Sequence, residues 1–217
     1  MKLFKNIKKW LENQEHLFYL FLLILIVPNI ILCFTEPMPV VAKVCNVLLP
    51  FAFYYLLMTL SRNCGKMFWI LFLFIFFGAF QIVLLYLFGQ SIIAVDMFLN
   101  LVTTNSSEAM ELLDNLVPAL VSVIILYIPA LILAVISIIK KRKLSPEFIR
   151  RERKMAWIAL LIGFISLGAA YGLDKRYELK SDLYPANVCY NVALAFQRNA
   201  QTRTYHRTSE NFTFNAQ

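Results

Sequence analysis

Residues 17–34 read LFYLFLLILIVPNIILCF, and four further stretches of the same kind follow. Together the five apolar runs occupy 17–35, 38–60, 67–89, 117–139 and 156–172. A helix needs about 20 predominantly apolar residues to cross a bilayer, so each run is a candidate span. Composition agrees: 60% of the residues are hydrophobic and only 16% are charged, against about 25% charged in ordinary globular domains. That surplus of apolar side chains needs a solvent other than water. The first run is too long and wrongly flanked for a cleaved signal peptide, and neighbouring helices can satisfy the carbonyl that its Pro28 frees. The fifth, AWIALLIGFISLGAAYG, is the shortest and contains Gly163, Gly168 and Gly172. Small residues let backbones approach closely, so it is expected to pack against neighbouring helices more than against lipid. The fold class expected is an all-α membrane protein, a bundle of five transmembrane helices.

Charge orients the bundle. Lys2, Lys5, Lys8 and Lys9 precede the first run, Arg62 and Lys66 separate the second and third, and KKRKLSPEFIRRERK separates the fourth and fifth. Those segments share one side of a five-span chain and hold 14 of its 21 Lys and Arg, whereas residues 90–116 hold none. Cytoplasmic loops keep an excess of Lys and Arg. The N-terminus (1–16) and the basic loop 140–155 are therefore placed inside, and the polar tail 173–217 outside. The net charge of +8 then follows from topology, and nucleic acid is not read as a partner, because these clusters lie where anionic lipid headgroups attract them.

Cys33, Cys45, Cys64 and Cys189 form no C-x-x-C pair. A Cys33–Cys45 bridge across the first outer turn is conceivable, but free thiols are the preferred reading. His16 and His206 fall in opposite compartments, so no His-based metal site is expected. The chain has no internal repeat of the kind found in many transporters. Ser145-Pro146-Glu147 resembles a helix start, with Ser as N-cap and Pro at the first helical position. In the tail, Val188, Val192 and Ala195–Phe196 recur at helical spacing and predict a short amphipathic helix over about 185–198. Beyond Arg198 the pattern lapses into what reads as a linker.

The unusual segment is DMFLNLVTTNSSEAMELLDN, residues 96–115, with four acids and no Lys or Arg. At 100° per residue, placing Asn100 at 0° puts Thr104 at about 40°, Glu108 at about 80°, Glu111 at about 20° and Asp96 at about −40°. Leu101, Val102, Ala109, Leu112 and Leu113 fall on the other side. The segment predicts an amphipathic helix lying at the outer membrane interface. Its polar stripe is either a solvated face or a site for a small polar cation. In the second reading Glu108 pairs with an ammonium while Asn100 and Thr104 serve a neighbouring phosphate or hydroxyl.

The order of five helices, the outer loop with N-x-x-x-T-x-x-x-E at Asn100, Thr104 and Glu108, and the tail around YPANVCYNVALAFQRN (184–199) resemble one known family. It is the lipid A phosphoethanolamine transferases, bacterial inner-membrane enzymes with a sulfatase-like periplasmic domain that include the mobile colistin-resistance enzymes. The resemblance implies that Asn100, Thr104 and Glu108 bind the headgroup of the donor, phosphatidylethanolamine, and that the acceptor is lipid A or lipopolysaccharide core. It covers the membrane half of a full family member. The catalytic Thr and the zinc ligands would belong to a soluble domain following the tail, so the 217 residues alone are expected to be inactive, with no catalytic or metal-binding residue among them. The competing expectation is a stand-alone multispan scaffold or small carrier. A carrier needs ionisable groups at mid-bilayer, and Lys43, near the outer end of the second run, reads instead as an interface anchor beside Glu36.

Overall fold

The computed structural model describes residues 6, 10–88 and 106–210, with side chains left out at 81, 84–88, 106–116, 181, 195, 199 and 202–210. Among the described residues the protein is all-α, with eight helices: α1 Gln14–Thr35, α2 Val40–Met58, α3 Cys64–Ile70, α4 Phe72–Phe88, α5 Ser106–Ile139, α6 Pro146–Leu173, α7 Leu179–Asp182 and α8 Ala186–Glu210. Four of them are long and apolar enough to cross a membrane: α1, α2, α6 and the part of α5 from Val117 to Ile139. The chain is a multi-pass membrane protein.

The third apolar run, expected as one helix over 67–89, is divided at Leu71 into α3 and the 17-residue α4. The ladder crosses the break, because Leu71 N–H donates to Met67 O (3.0 Å) and Ile75 N–H to Leu71 O (3.1 Å). A glycine explains the offset. Gly65 on α3 lies so close to the Ala134 carbonyl of α5 that an added methyl would overlap it, so α3 is held tightly against α5 just before the break.

Packing centres on α1. Of the apolar stretch of α1, 56% is buried, against 17% of that of α6, which makes α1 the central helix and α6 a peripheral one. Phe21 stacks on Phe68 with ring centroids 4.4 Å apart, and Phe18 meets Phe148 edge-on at 5.5 Å. In lipid such contacts hold helices together by close packing rather than by expelling water. The sequence expectation for the fifth run is therefore corrected. Only one side of α6, at Ala156, Gly163 and Ala170, packs inward, with Gly163 against the Leu49 backbone. Gly168 and Gly172 have nothing within 4 Å, and Trp157, Leu161 and Ile165 are exposed.

The interhelical loops at one end are clasped. Arg62 Nε donates to Leu144 O (2.9 Å) and Leu144 N–H returns to Arg62 O (2.7 Å). Asn63 Nδ2 reaches Arg142 O (2.9 Å), Ser137 Oγ donates to Gln14 Oε1 (2.6 Å), and an Arg153 Nη2 donates to Thr59 O (2.7 Å). This is the end that gathers Arg62, Lys66 and the basic tract after α5, so we term it the basic end. Here α6 starts where Ser145 predicts, its hydroxyl accepting from Phe148 N–H at 3.1 Å. The helix then runs through most of what was expected to be the loop 140–155, since a capped, Pro-initiated segment rich in Arg, Glu and Lys is a good helix former.

Two more boundaries differ from expectation. Residues 106–116, expected within a separate interfacial helix, continue into α5, because nothing between Ser106 and Val117 is a Gly or Pro. The resulting 34 residues measure about 51 Å, some 20 Å more than the hydrocarbon core of a bilayer. In the tail, α8 runs to Glu210 rather than ending near 198, again with no breaker in the sequence. Phe196, expected on its apolar side, is 72% exposed, whereas Val188 is buried.

Candidate functional site

Of the residues singled out in the acidic stretch, Asp96, Asn100 and Thr104 lie outside the described residues, as does the side chain of Glu108. The backbone places Glu108, Glu111 and Asp114 at intervals of three within the helical stretch of α5 that precedes Val117. These positions share one side of the helix. All three belong to the extension of α5 beyond Val117, at the end of the bundle opposite the basic end.

At that same end the described side chains build a buried polar junction that joins the first two helices to the segment after α6. Asn29, next to Pro28 in α1, is fully buried, and its Nδ2 donates twice, to Asn46 O at 2.9 Å and to Tyr184 O at 2.8 Å. Asn46 of α2, also fully buried, donates from Nδ2 to Asp182 O (2.7 Å) and accepts at Oδ1 from the Tyr177 hydroxyl (3.0 Å). Tyr184 inserts its ring between helices and donates to Phe74 O (2.6 Å). Its peptide bond to Pro185 is cis. Apolar contacts finish the joint: Leu32, Phe77 and Phe80 surround Tyr184 and Val188, and Ala42, Cys45 and Ala170 surround Tyr177 and Leu183.

Backbone geometry makes room for this insertion. A Cβ at Gly78 would lie 2.9 Å from the Pro28 ring and 3.1 Å from the hydroxyls of both Tyr127 and Tyr184. Glycine is thus the residue that lets α4 approach α1 with two phenols between them. Burial raises the phenols of Tyr177 and Tyr184 above their ordinary value of 10.0, so both stay protonated donors. This arrangement of amides and phenols bonded to backbone carbonyls anchors the segment after α6 to α1, α2 and α4. All four cysteines are free thiols, and Cys33 Sγ donates to Lys43 O (3.2 Å) rather than bridging to Cys45.

Sequence reasoning missed Asn29, Asn46, Tyr177 and Tyr184. The signal was present in the first two, because an amide inside an apolar run is costly in lipid unless it finds a partner. Their partners in the segment after α6 lie more than a hundred residues away, and no local pattern names them. Comparison with protein-family models, with curated proteins and with solved structures finds no match for this chain.

Proposed function

We propose that the chain is the membrane domain of a phosphoethanolamine transferase that takes phosphoethanolamine from phosphatidylethanolamine and delivers it to lipid A or lipopolysaccharide core. In this reading Asn100, Thr104 and Glu108 hold the donor headgroup at the outer face of a bacterial inner membrane. Five helices span the bilayer, with α3 and α4 together forming the third. The basic end is cytoplasmic, and the extension of α5 and helix α8 are periplasmic.

The observation that best supports this reading is the docked segment 177–192. A chain serving only as a membrane anchor has no need of a tail held by buried amides. A two-lipid transfer does need one, because donor and acceptor move only within a leaflet, and the reacting groups must be brought together by fixed parts of the protein. The junction gives α8 a defined origin on the same end as Glu108, and so a defined direction for whatever the tail carries. One further feature accords with the reading: the acidic, Lys- and Arg-free stretch suits an ammonium headgroup. Among the described residues no three His, Cys, Asp or Glu converge to fit the zinc of the family, which in this reading belongs to the soluble domain.

The test compares Glu108→Gln with Glu111→Gln, binding the full chain to phosphatidylethanolamine in detergent micelles or nanodiscs. Loss of a charge-assisted hydrogen bond to ammonium costs about 1.5–3 kcal/mol, roughly tenfold to a hundredfold in affinity. Glu111→Gln changes an acid of the same stretch outside the motif and is expected to cost little. Equal and small effects of the two would return the stripe to a solvated helix face and favour a scaffold.

A further inference from the structure

The first turns of α6 hold a groove of about 300 Å³ lined by Pro146, Glu147, Arg150, Arg151 and Lys154. Arg151 is committed to the protein. Its Nε donates to Glu152 at 2.8 Å, and its guanidinium sits 5.2 Å over the Phe148 ring. Glu152 is only 3% exposed and also accepts from the Tyr55 hydroxyl, which fixes this stretch of α6 to α2. Arg150 and Lys154, one turn apart, are exposed, and neither makes an ion pair among the described residues. The charge of Arg151 is met by Glu152, so Arg150 and Lys154 face Glu147 two to one across the groove.

What lies beyond these cations decides what they face. At 100° per residue, Arg150, Lys154, Trp157, Leu161 and Ile165 fall within about 80° of arc on one side of α6. Trp157 is 58% exposed, Leu161 63% and Ile165 63%. A pair of cations thus sits at the polar end of a continuous apolar stripe that begins with a tryptophan, the residue type enriched where bilayer headgroups meet acyl chains. We propose that this groove binds the headgroup of an anionic phospholipid in the leaflet at the basic end, with its acyl chains lying along the stripe. The guanidinium of Arg150 offers paired donors to a phosphate, and the ammonium of Lys154 adds a point charge. The proposal depends on α6 spanning the membrane and is independent of any role for Glu108.

The test uses Trp157 as reporter. The full chain carrying Trp10→Phe and Trp69→Phe, so that Trp157 is its one tryptophan, is reconstituted in phosphatidylcholine vesicles. Graded amounts of acyl-brominated phosphatidylglycerol or acyl-brominated phosphatidylcholine are added, and quenching is read. Preferential quenching by the anionic lipid is expected. Arg150→Gln or Lys154→Gln should each lower that preference about fivefold, the effect of roughly 1 kcal/mol per basic residue near a membrane surface. Lys140→Gln with Lys143→Gln removes two charges from the same end outside the groove and should leave most of the preference intact. Equal quenching by the two lipids overturns the proposal. So does an equal loss in the control pair, which would reduce the effect to surface potential, and so does abolition of the preference by millimolar inorganic phosphate, which would reassign the groove to a soluble anion.

Discussion

Replacing Asn46 by Leu keeps the branching and heavy-atom count of the side chain and leaves the backbone carbonyl that accepts from Asn29 in place. It removes a donation to Met38 Sδ within the α1–α2 hairpin and the two hydrogen bonds to the docked segment, the donation to Asp182 O at 2.7 Å and the acceptance from the Tyr177 hydroxyl at 3.0 Å. Hydrogen bonds between membrane helices average only about 0.6 kcal/mol, because the separated helices find other partners in lipid. Here the separated state is different, since the segment that would leave is polar and returns to water. The appropriate figure is then about 1–3 kcal/mol for each buried group stranded. Two such losses weaken docking by at least about 2 kcal/mol, roughly thirtyfold in the docking equilibrium. Hydrogen exchange read on peptides covering 183–194 should accelerate by that factor while α1 and α2 keep their protection, because local opening is reported separately from global unfolding. Asn29→Leu loses two bonds, but it discards the Oδ1 of Asn29, which is buried without a partner, so its effect should be the smaller. Unchanged exchange over 183–194 in Asn46→Leu, or equal acceleration throughout the bundle, would refute the argument that the amides hold the segment.

Other outcomes follow from the same geometry. Gly65→Ala forces a methyl onto the Ala134 carbonyl and should lower the melting temperature in detergent by an amount equivalent to about 1–3 kcal/mol or more, whereas Gly168→Ala, with nothing within 4 Å, should leave it unchanged. The docked tail should also respond to alkali with a definite sign. Burial raises the folded pKa of Tyr177 and Tyr184 above 10.0, so their contribution is fully present below pH 10 and declines as pH rises beyond it. Exchange over 183–194 measured from neutral pH upward, corrected for intrinsic rates, checks this. Finally, cysteines introduced at 145 and 200 in a background without Cys189 should react with an impermeant thiol reagent from opposite sides of sealed vesicles; reaction from the same side would reject the five-span topology.

Much of the bundle was readable from local rules. The apolar runs located α1, α2, α6 and the membrane part of α5, and the Ser145-Pro146 pair marked the start of α6 to the residue. Failures occurred where a boundary depended on something other than apolar periodicity. The extension of α5 and the second half of α8 are helical through lack of any breaker, while their hydrophobic pattern stops short. The peripheral position of α6 was misjudged because glycines permit close packing without compelling it: Gly163 has a partner in Leu49, and Gly168 and Gly172 have none. The helix over 185–198 was legible, but its docking through Tyr177, Leu183 and Tyr184 was not, because these residues follow no single period. Each is buried for a different reason, set by amides and rings contributed from α1, α2 and α4.

The junction at Asn29 also sets an order of events during synthesis. When the α1–α2 hairpin enters the bilayer, one Nδ2 donor of Asn29 can already meet Asn46 O within the hairpin. The second donor of Asn29 and the bonds of Asn46 to Asp182 O and Tyr177 must wait for residues 177–184, which leave the ribosome only after α6. Until then two amides sit in the nascent bundle without their final partners, at a cost that later docking offsets. A translation pause or stop shortly after Leu173 would therefore leave every membrane helix made and the bundle still unlatched, a state that membrane quality-control proteases are suited to recognise.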